Sequence, residues 1–450
     1  MKNIARNNVK KSGSKRSRKA APVIVGAGFG DEGKGLLTDY FAAGFGKECI
    51  VARFNGGAQA GHTVVAPDGR RHVHSHFGSG ALSGAATFLS RHFVSNPLLF
   101  RREAAELESL SDGVPVVFAD DRGLVTTPYD MLVNQWLESA RGNGRHGSCG
   151  VGFGETIERS LNERFAIRIC DLADRNYLRA AADRIRRQWV AARLHELNVP
   201  KLTGEQKELL FSNRLRDEFI EAAAAFNALI RIARPAVLRS APVVFEGAQG
   251  LLLDEDYGWF PHVTRSSTGL KNAVEVAAEA GIDRLDCVYA TRAYATRHGA
   301  GPLPHELPAK PYAGIEDATN QPNPHQGALR FGWLDLDLLS STIDADFNRY
   351  GRNSGIEISR RLAVTCLDQL DGSAFYMSGD RLCETPIDEF VSVAARRTGI
   401  AEVYASRGET RETIAKTTHS LDFTHAAGTR KKSFAAGVPV VSASQSPAIR

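Results

Sequence analysis

Two glycine-rich stretches, 28–35 and 55–65, carry the residues best suited to chemistry on a phosphorylated substrate. The first reads GFGDEGKG; it follows an apolar run and precedes apolar residues at helical spacing. A strand, a glycine loop and a helix start form the context in which backbone N–H groups and the helix dipole bind a phosphate. Lys34 adds a positive charge, so the pattern predicts a nucleotide phosphate site.

The first loop departs from the usual phosphate-loop pattern at Gly35, where a magnesium-binding Ser or Thr is expected. Magnesium then needs another hard oxygen, and Asp31 inside the same loop offers a carboxylate. A carboxylate among phosphates is unfavourable because like charges repel, unless a metal ion offsets the charge. A second task for Asp31 would explain its presence better. Removing a proton from a substrate is such a task, so Asp31 is predicted to be a general base.

The second stretch, NGGAQAGHTVV, directly follows the apolar run CIVARF. Its three glycines let the backbone approach a ligand closely, and His62 can donate a hydrogen bond to a developing oxyanion. Taken alone, a histidine in such a loop is more often structural. Beside Asp31 on a neighbouring strand end, His62 is predicted to act on the same substrate.

Apolar, strand-like runs are expected to position both loops. The runs are 23–28, 49–54, 114–120, 241–247, 286–296 and 362–368. Helical patterns lie between them, most clearly at 176–197 and 206–233. This alternation predicts an α/β protein whose large, mainly parallel central sheet has helices on its faces. The phosphate-binding loop would follow the first strand of that sheet.

Composition divides the 450 residues into one α/β domain, 21–425, with a helical subregion at about 176–235 and a tail at each end. The segment 1–20 has eight Lys or Arg and no acidic residue, which predicts a disordered basic arm. Weak contact with nucleic acid or a role in organelle targeting is the alternative for this segment. Without that charge the net +5 falls to −3, so the body of the chain is not expected to bind nucleic acid. The segment 426–450 is predicted to be irregular.

Several other classes of protein are disfavoured by composition. No apolar run reaches the ~18 residues of a membrane span, and the basic arm lacks the apolar part of a secretory signal. The six cysteines form no CxxC pair, which is typical of free thiols in a reducing compartment rather than of a disulfide scaffold or a cysteine zinc site. The expected location is the cytoplasm.

The two glycine loops together resemble the signature of the adenylosuccinate synthetase family, a GDEGKG loop followed by a GG-x-x-AGHT loop. The stretch 245–264 is similar to the family's EGAQG segment, and AYATRHGAGPLPHEL at 293–307 is similar to its AYSTRVGAGP-type segment. GWLD, TCLDQLDG and SRGETRET match more loosely. The resemblance therefore covers most of the chain, from about Val23 to about Ile414.

The resemblance implies a ligase that joins L-aspartate to C6 of IMP through a 6-phosphoryl intermediate, with GTP hydrolysis and Mg²⁺. Asp31 would take the N1 proton and ligate the metal together with Gly61, while His62 would stabilise charge on O6 and protonate the leaving group. The residues implied at the nucleoside triphosphate are Gly30, Glu32, Gly33, Lys34, Gly35, Gly61, Thr63, Asp368, Ser406 and Gly408. The residues implied at the other substrates are Gln59, Cys149, Arg164, Gln249, Thr264, His298 and Arg330. Arg164 would reach the neighbouring subunit's site, which implies a homodimer, and Asp368 would read guanine.

Two departures from the family pattern bear on the substrates. Cys366 replaces the family's lysine in TKLD, which weakens guanine recognition and leaves ATP open as the donor. The loop 321–333 keeps only Arg330 of a four-arginine run, and Gly327 takes the place of an arginine that touches the aspartate carboxylate and the ribose 2′-hydroxyl. His325, Gln326 or Arg330 would have to substitute for it.

Three alternatives stay open at the sequence level. Relatives of the family act on dGMP with ATP, dATP or GTP and make the N6-succinyl-2-aminodeoxyadenylate of modified viral DNA, although many have Ser where this chain keeps Asp31. A nucleotide-binding regulator without catalysis would explain the rewritten loop. A simple P-loop NTPase or kinase would require a hydroxyl residue after Lys34, which is absent, although 114–121 imitates its second metal site.

Overall fold

The computed structural model describes residues 20–111, 113–317 and 327–421. Nearly all of the predicted basic arm, the whole predicted tail 426–450, and the residues His325 and Gln326 lie outside these ranges. The described residues contain eighteen strands and eleven α-helices.

The strands are β1 Ala21–Gly26, β2 Ile50–Arg53, β3 His62–Val65, β4 Arg71–His74, β5 Ala86–Leu89, β6 Val117–Ala119, β7 Ile230–Ile232, β8 Val243–Glu246, β9 Arg284–Arg292, β10 Ala295–Arg297, β11 Glu306–Leu307, β12 Arg330–Gly332, β13 Leu334–Asp335, β14 Glu357–Thr365, β15 Ser373–Ser378, β16 Arg381–Pro386, β17 Glu402–Ser406 and β18 Ile414–Thr418. The α-helices are α1 Lys34–Phe45, α2 Pro97–Leu110, α3 Pro128–Arg141, α4 Phe153–Ser160, α5 Arg175–Arg184, α6 Val190–Glu196, α7 Gly204–Phe211, α8 Asn213–Leu229, α9 Leu270–Ala280, α10 Leu336–Asp346 and α11 Ile387–Thr398.

Ten strands form one sheet in the order β18-β17-β14-β9-β1-β8-β2-β5-β6-β7. Every neighbouring pair is parallel except β17 and β18, which are antiparallel. All six apolar runs found in the sequence contribute strands to this sheet. The prediction of a large, mainly parallel sheet is therefore confirmed.

Both faces of the sheet are buried, which explains why its strands have nearly continuous apolar sequences. In β1, Val23 and Val25 pack in one core with α9, α10 and α11. Ile24 points to the opposite face and packs with α1. This alternation is the two-residue period of a strand that is covered on both sides.

The loops that carry the predicted chemistry leave adjacent parallel strands at the same edge of the sheet. β9, β1, β8 and β2 are consecutive in the sheet and run in the same direction. Their carboxyl ends therefore bring together the loops that begin near residues 27, 54, 247 and 293. Ligand sites of open α/β sheets lie outside this edge.

The predicted helical pattern 206–233 is interrupted at two places. Ser212 separates α7 from α8, and its hydroxyl accepts a hydrogen bond from the Leu215 N–H at 3.3 Å, which caps the new helix. After α8, the segment Ile230–Ile232 pairs with β6 as the edge strand β7. The apolar periodicity of the sequence continues through both interruptions because the apolar face of α7–α8 and the buried side of β7 pack in the same core.

A buried ion pair fixes α3 and α4, the two helices that support one wall of the loop region. The Arg159 guanidinium donates to both carboxylate oxygens of Asp130, at 2.8 and 3.0 Å, and to the carbonyls of Val125 and Phe165. Asp130 also forms a capping box with Thr127 at the start of α3. Both charged side chains are fully buried.

We expect Asp130→Ala to destabilise the protein by about 3–5 kcal/mol, because it leaves the buried Arg159 charge without its partner. Urea unfolding followed by circular dichroism measures the change. The control is Arg175→Ala, which removes an ion pair between exposed side chains of α5 and α8 and should cost less than about 1 kcal/mol. Equal losses for the two variants would show that the buried pair does not hold this wall together.

Candidate active site

A cleft of about 570 Å³ opens at the carboxyl edge of the sheet, within the size range of small-molecule sites. Its lining includes most of the residues predicted to bind phosphate, metal or substrate. The predicted residues that line it are Gly30, Asp31, Glu32, Gly33, Lys34, Gly35, Gln59, Gly61, His62, Thr63, Cys149, Gln249, Thr264 and His298. The loops after β1, β2 and β8 thus contribute to one cavity.

The loop between β1 and α1 presents the start of the helix to the cleft. Gly33 adopts the left-handed conformation with φ of 78°, and among the described residues no side chain caps the helix at this position. The free N–H groups of the first turn and the helix dipole therefore favour an anion here. Lys34 is buried, and its Nζ lies 3.6 Å from Glu32 Oε2.

Glu32 stabilises the loop between β1 and α1. Its carboxylate accepts the N–H of Gly28 at 2.6 Å, and burial raises its pKa despite the nearby Lys34 ammonium. A side chain at Gly28 would place its Cβ only 2.8 Å from the same carboxylate. Glu32 therefore closes the loop and offsets part of the Lys34 charge.

Gly35, which stands where a phosphate loop usually has a hydroxyl residue, is required by packing. A Cβ at this position would lie 2.8 Å from the carbonyl oxygen of Thr63 and 3.1 Å from Cβ of His62. The hairpin β3–β4 thus lies directly on the first turn of α1. The absent side chain lets the His62 loop approach the phosphate loop.

His62 is oriented by a buried carboxylate at the end of β8. Its Nδ1 donates to Glu246 Oε1 at 2.6 Å, so the other ring nitrogen, Nε2, is left for a ligand of the cleft. Glu246 also accepts the N–H of Ser79 at 3.0 Å and a short hydrogen bond from the Ser79 hydroxyl, and Arg53 Nε lies 3.8 Å away. Glu246 is fully buried, so these partners are what make its charge tolerable.

Two opposing effects act on the pKa of His62. Burial lowers it and outweighs the Glu246 carboxylate, which acts in the opposite direction, so the pKa of His62 lies below its ordinary value. Burial raises the pKa of Glu246, but Arg53, His62 and Ser79 outweigh it and lower the pKa to about 2. A permanently ionised carboxylate behind an imidazole supports an imidazolium when a proton reaches Nε2.

Asp31 faces the cleft from an unusual backbone conformation, with φ of 60°. Aspartate tolerates this left-handed region better than most residues. Its carbonyl oxygen accepts a short hydrogen bond from Arg292, and its carboxylate Oδ2 lies 3.6 Å from His298 Nε2. Arg292 is anchored in turn by Asp317 at 3.0 Å. Asp31 is thereby fixed by its backbone, and its carboxylate faces the cleft.

Two glutamines leave buried amide atoms in the cleft without a hydrogen-bond partner among the described residues. Both side-chain polar atoms of Gln59 are of this kind, as is Oε1 of Gln249. Gln249 Nε2 donates to the Thr264 hydroxyl at 2.7 Å. Unsatisfied buried amides cost folding free energy, and a polar ligand in the cleft would satisfy them.

Asp368, Ser406 and Gly408 lie outside the lining of the cleft, beyond neighbouring strands of the same edge. β14 ends at Thr365, whose hydroxyl donates to the Glu32 carbonyl at 3.3 Å, and Asp368 follows in an exposed turn. Ser406 ends β17, and its hydroxyl donates to the Gly408 carbonyl at 2.9 Å. The cleft therefore does not include these three predicted residues.

Arg164 and Arg330 do not line the cleft either. Arg164 is exposed and lies 5.8 Å from the ring centroid of Phe165. Arg330 donates to both carboxylate oxygens of Glu306, at 2.8 and 2.5 Å, and to two backbone carbonyls at 2.9 Å. In this conformation the Arg330 guanidinium is therefore engaged within the chain.

The sequence analysis missed Glu246, Arg53 and Ser79, the residues that hold His62. One signal was present for the first: an acidic residue at the end of the apolar run APVVFE, where a parallel strand enters the ligand edge. Nothing in the sequence pairs Arg53 or Ser79 with that carboxylate, because they come from separate segments. Arg297 was also missed; it is buried in the cleft wall, and burial and Arg330 lower its pKa to about 10.

Replacing the glycine that the hairpin packs against tests this geometry. We expect Gly35→Ser to destabilise the protein by about 1–3 kcal/mol, since the new side chain overpacks the contact with Thr63 and His62. Gly44→Ala, in the same helix but with open space at its Cβ, should instead stabilise it by about 0.5–1 kcal/mol. Urea unfolding of both variants decides; a Gly35→Ser protein as stable as Gly44→Ala would contradict the packing explanation.

Comparison with known proteins identifies the family. The family model described as adenylosuccinate synthetase matches residues 23–374. An adenylosuccinate synthetase of Clostridium beijerinckii is 31% identical over 366 residues, covering 78% of this chain and 79% of the relative. The enzyme of the same name from Thermosynechococcus vestitus is 32% identical over 362 residues, covering 78% and 74%.

Two solved structures share the fold. A fully ligated adenylosuccinate synthetase from Plasmodium falciparum has a TM-score of 0.67 at 18% identity and covers 88% of this chain and 99% of its own. A cyanophage S-2L succinoaminodeoxyadenylate synthetase, bound to dGMP and dATP, has a TM-score of 0.55 at 16% identity and covers 89% and 95%. Within the described residues, no helix is long and apolar enough to cross a membrane. Its sequence relatives and its family model together establish that this chain belongs to the adenylosuccinate synthetase family.

Proposed function

We propose that the protein joins the amine of L-aspartate to C6 of a 6-oxopurine nucleotide, with IMP as the acceptor and GTP as the phosphoryl donor. The product is adenylosuccinate, formed through a 6-phosphoryl intermediate. One observation carries the proposal: Asp31 and a carboxylate-oriented His62 face the same cleft beside the amino end of α1 and Lys34. This arrangement supplies a base, an acid and a phosphate site to one substrate.

Asp31 is the proposed general base. Its carboxylate takes the N1 proton of the hypoxanthine, which makes O6 nucleophilic toward the γ-phosphate of the donor. The backbone of Asp31 is held by Arg292, so the carboxylate is positioned before the substrate arrives. The neighbouring His298 lies with its Nε2 3.6 Å from that carboxylate, on the same side of the cleft.

His62 is the proposed acid at O6. The purine C6 carbonyl is a poor electrophile, and phosphorylation converts its oxygen into a leaving group that the aspartate amine displaces. Nε2 of His62 stabilises the negative charge that develops on O6 and protonates the leaving phosphate. Glu246 holds the proton on Nδ1, so Nε2 is the nitrogen that exchanges a proton with the substrate.

The phosphate side of the site combines the first turn of α1 with Lys34 and the loop glycines. Gly30, Glu32, Gly33, Gly35, Gly61 and Thr63 line the same cleft and are the proposed contacts of the triphosphate and its metal. A Mg²⁺ ion fits this donor set, because the Asp31 carboxylate and the Gly61 carbonyl are hard oxygens. When bound, the ion neutralises the charge of the phosphates and of Asp31.

The nucleotide bases and sugars are assigned to the two ends of the cleft. We propose that Asp368, Ser406 and Gly408, on the β14 and β17 side, hold the guanine of the donor. Residues of the opposite side are proposed to hold the acceptor. They are Gln59, Cys149, Gln249, Thr264 and His298. The unpartnered amides of Gln59 and Gln249 support this assignment.

Arg330 is the proposed contact of the aspartate substrate, and its ion pair with Glu306 indicates how it would bind a carboxylate. Glu306 already binds the Arg330 guanidinium through both carboxylate oxygens, the geometry that a substrate carboxylate would adopt. We infer that aspartate replaces Glu306 on Arg330. An exchange of one carboxylate for another leaves the buried part of the arginine in place, because its other nitrogen stays on the carbonyls of Gly299 and Gly301.

One observation favours dGMP as a second acceptor, with ATP, dATP or GTP as the donor. Gly327 stands where the family places an arginine that contacts the ribose 2′-hydroxyl, and a deoxyribose needs no such contact. Cys366 in place of lysine likewise relaxes selection of guanine in the donor. The presence of Asp31 favours the ordinary IMP reaction. A regulator without catalysis would have little use for an Asp31 and His62 that meet in one cleft.

We further propose that the protein is a homodimer that works in the cytoplasm. Arg164 is exposed and away from its own cleft, as a residue that completes a neighbouring subunit's site would be. All six cysteines are free, as a reducing compartment favours.

A screen of acceptors and donors tests the proposed reaction. The purified full-length protein is given L-aspartate, Mg²⁺, either IMP or dGMP, and either GTP or ATP, and product formation is followed by absorbance and chromatography. We expect turnover of IMP with GTP and a loss of at least about 10²-fold in kcat for Asp31→Ala, the contribution typical of a general base. The control Asp380→Ala changes an exposed carboxylate and should keep full activity. If only dGMP is turned over, dGMP rather than IMP is the acceptor. An active Asp31→Ala variant would refute the assignment of Asp31 as the general base.

The pH dependence of Glu246→Gln tests the assignment of His62. Gln keeps an oxygen that accepts the Nδ1–H but removes the charge that supports an imidazolium, so the pKa of His62 should fall further. Less imidazolium then exists at a given pH, and the alkaline limb of the kcat profile should move to lower pH. We expect kcat at neutral pH to fall by about 10²-fold or more. Glu205→Gln, an exposed change, is the control, and an unchanged pH profile in Glu246→Gln would exclude His62 as the acid.

A further inference from the structure

Behind the His62 hairpin, a second group of histidines is buried against α2. The sequence HVH of β4 places His72 and His74 on the same face of the strand, because side chains two residues apart share a face. The two rings are 4.7 Å apart, and the side chains are 4% and 0% exposed. One ligand atom from each ring and one carboxylate oxygen of Glu103 lie within 4.8 Å of one another.

The two rings lack the hydrogen bonds that buried imidazoles usually make. Neither nitrogen of His74, nor Nε2 of His72, has a hydrogen-bond partner among the described residues. Burying such groups without a partner destabilises the folded protein, so this site is poorly explained as ordinary core.

Glu103 is an ionised carboxylate held in place by the loop after β4. It accepts the backbone N–H groups of Ser75, His76 and Phe77 at 2.9, 2.7 and 3.2 Å. Burial raises its pKa, but the hydrogen bond from His76 and the charges of the nearby imidazoles lower it well below the ordinary value. Carboxylates that ligate metals are themselves hydrogen-bonded in this way.

His76 belongs to the support of the cluster. Its Nε2 accepts the N–H of Asn96 at 3.0 Å, so its proton is on Nδ1, which donates to Glu103 at 3.2 Å. Glu106, one turn further along α2, lies 3.9 Å from Nδ1 of His72. A carboxylate behind a histidine is the partner that orients metal-bound imidazoles.

We propose that His72, His74 and Glu103 bind a divalent transition-metal ion of the Zn²⁺ type. Two imidazoles and one carboxylate form a ligand set that zinc accepts, with water as a fourth ligand. His72 Nε2 is 3.8 Å from Glu103 Oε1, close to the roughly 3.4 Å that separates ligands of a tetrahedral ion with bonds of about 2.1 Å. All three donor atoms lie within 4.8 Å of one another, so rotation of the two rings would be needed to bring them to the ion.

The ion would connect the hairpin to the body of the protein. β3 and β4 are antiparallel, and His74 pairs directly with His62 across the hairpin. A metal on His74 and His72 ties that hairpin to α2 and thereby stabilises the position of His62. The site is separate from the proposed Mg²⁺ site, because imidazoles select zinc-like ions whereas Mg²⁺ prefers oxygen ligands.

The test uses the untagged full-length protein, treated with a chelator and then given Co²⁺ or Zn²⁺ in the presence of excess Mg²⁺. After gel filtration, we expect about one Zn²⁺ per chain by mass spectrometry and a visible absorption band with Co²⁺. His72→Gln and His74→Gln should both lose the ion and the band. The control His195→Gln, on the exposed side of α6, should retain both.

Wild-type protein provides a second test that needs no folded variant. X-ray absorption of the Zn²⁺-loaded protein should show imidazole nitrogen and carboxylate oxygen at about 2.0–2.1 Å and no sulfur. Zn²⁺ should also raise the unfolding temperature of the wild type. Binding of less than about a tenth of a Zn²⁺ ion per chain would overturn the proposal. So would a coordination shell that contains sulfur or lacks imidazole, or folded variants that bind Zn²⁺ as well as the wild type does.

Discussion

The buried carboxylate of Glu246 is the interaction on which the geometry of the cleft depends. It ends β8 and joins three other segments, through Arg53 at the end of β2, His62 on β3 and Ser79 after β4. A charge with no exposed surface is tolerated only when its partners are all in place, so folding brings those segments together as a unit. The same contacts direct one nitrogen of His62 to the cleft, and thus a constraint of folding also orients the residue that we propose as the acid.

Close packing of backbone segments is the second constraint on the site. Gly35 lets the hairpin lie on α1, Gly33 leaves room for Thr365 at the end of β14, and a Cβ at Gly250 would lie 2.3 Å from the Gly28 carbonyl. Loops from four strands can therefore meet around one ligand. The cost is the loss of side chains that could bind a metal, and in the proposed mechanism the Asp31 carboxylate performs that task.

Arg330 and Gly327 belong to the part of the chain that is proposed to recognise the acceptor and aspartate. Arg330 is held by Glu306, and Gly327 carries no side chain to contact a ribose. The loop 28–35 and the loop that carries His62 are, in contrast, held by close packing at the strand ends. In the proposed mechanism the chemistry is therefore separated from substrate selection, because the former depends on strand ends in the middle of the sheet and the latter on a peripheral loop.

The sequence by itself determined the family, the parallel sheet and the positions of Asp31, Lys34 and His62, because these depend on local patterns: apolar runs, glycine loops and their spacing. It did not reveal the break at Ser212, since the apolar period continues across it. Only the tertiary structure decided which residue orients His62, why position 35 must be glycine, and that Arg330 is engaged by Glu306. Each of these is a contact between segments far apart in the chain, and periodicity along one segment carries no information about the side chains that another segment places against it.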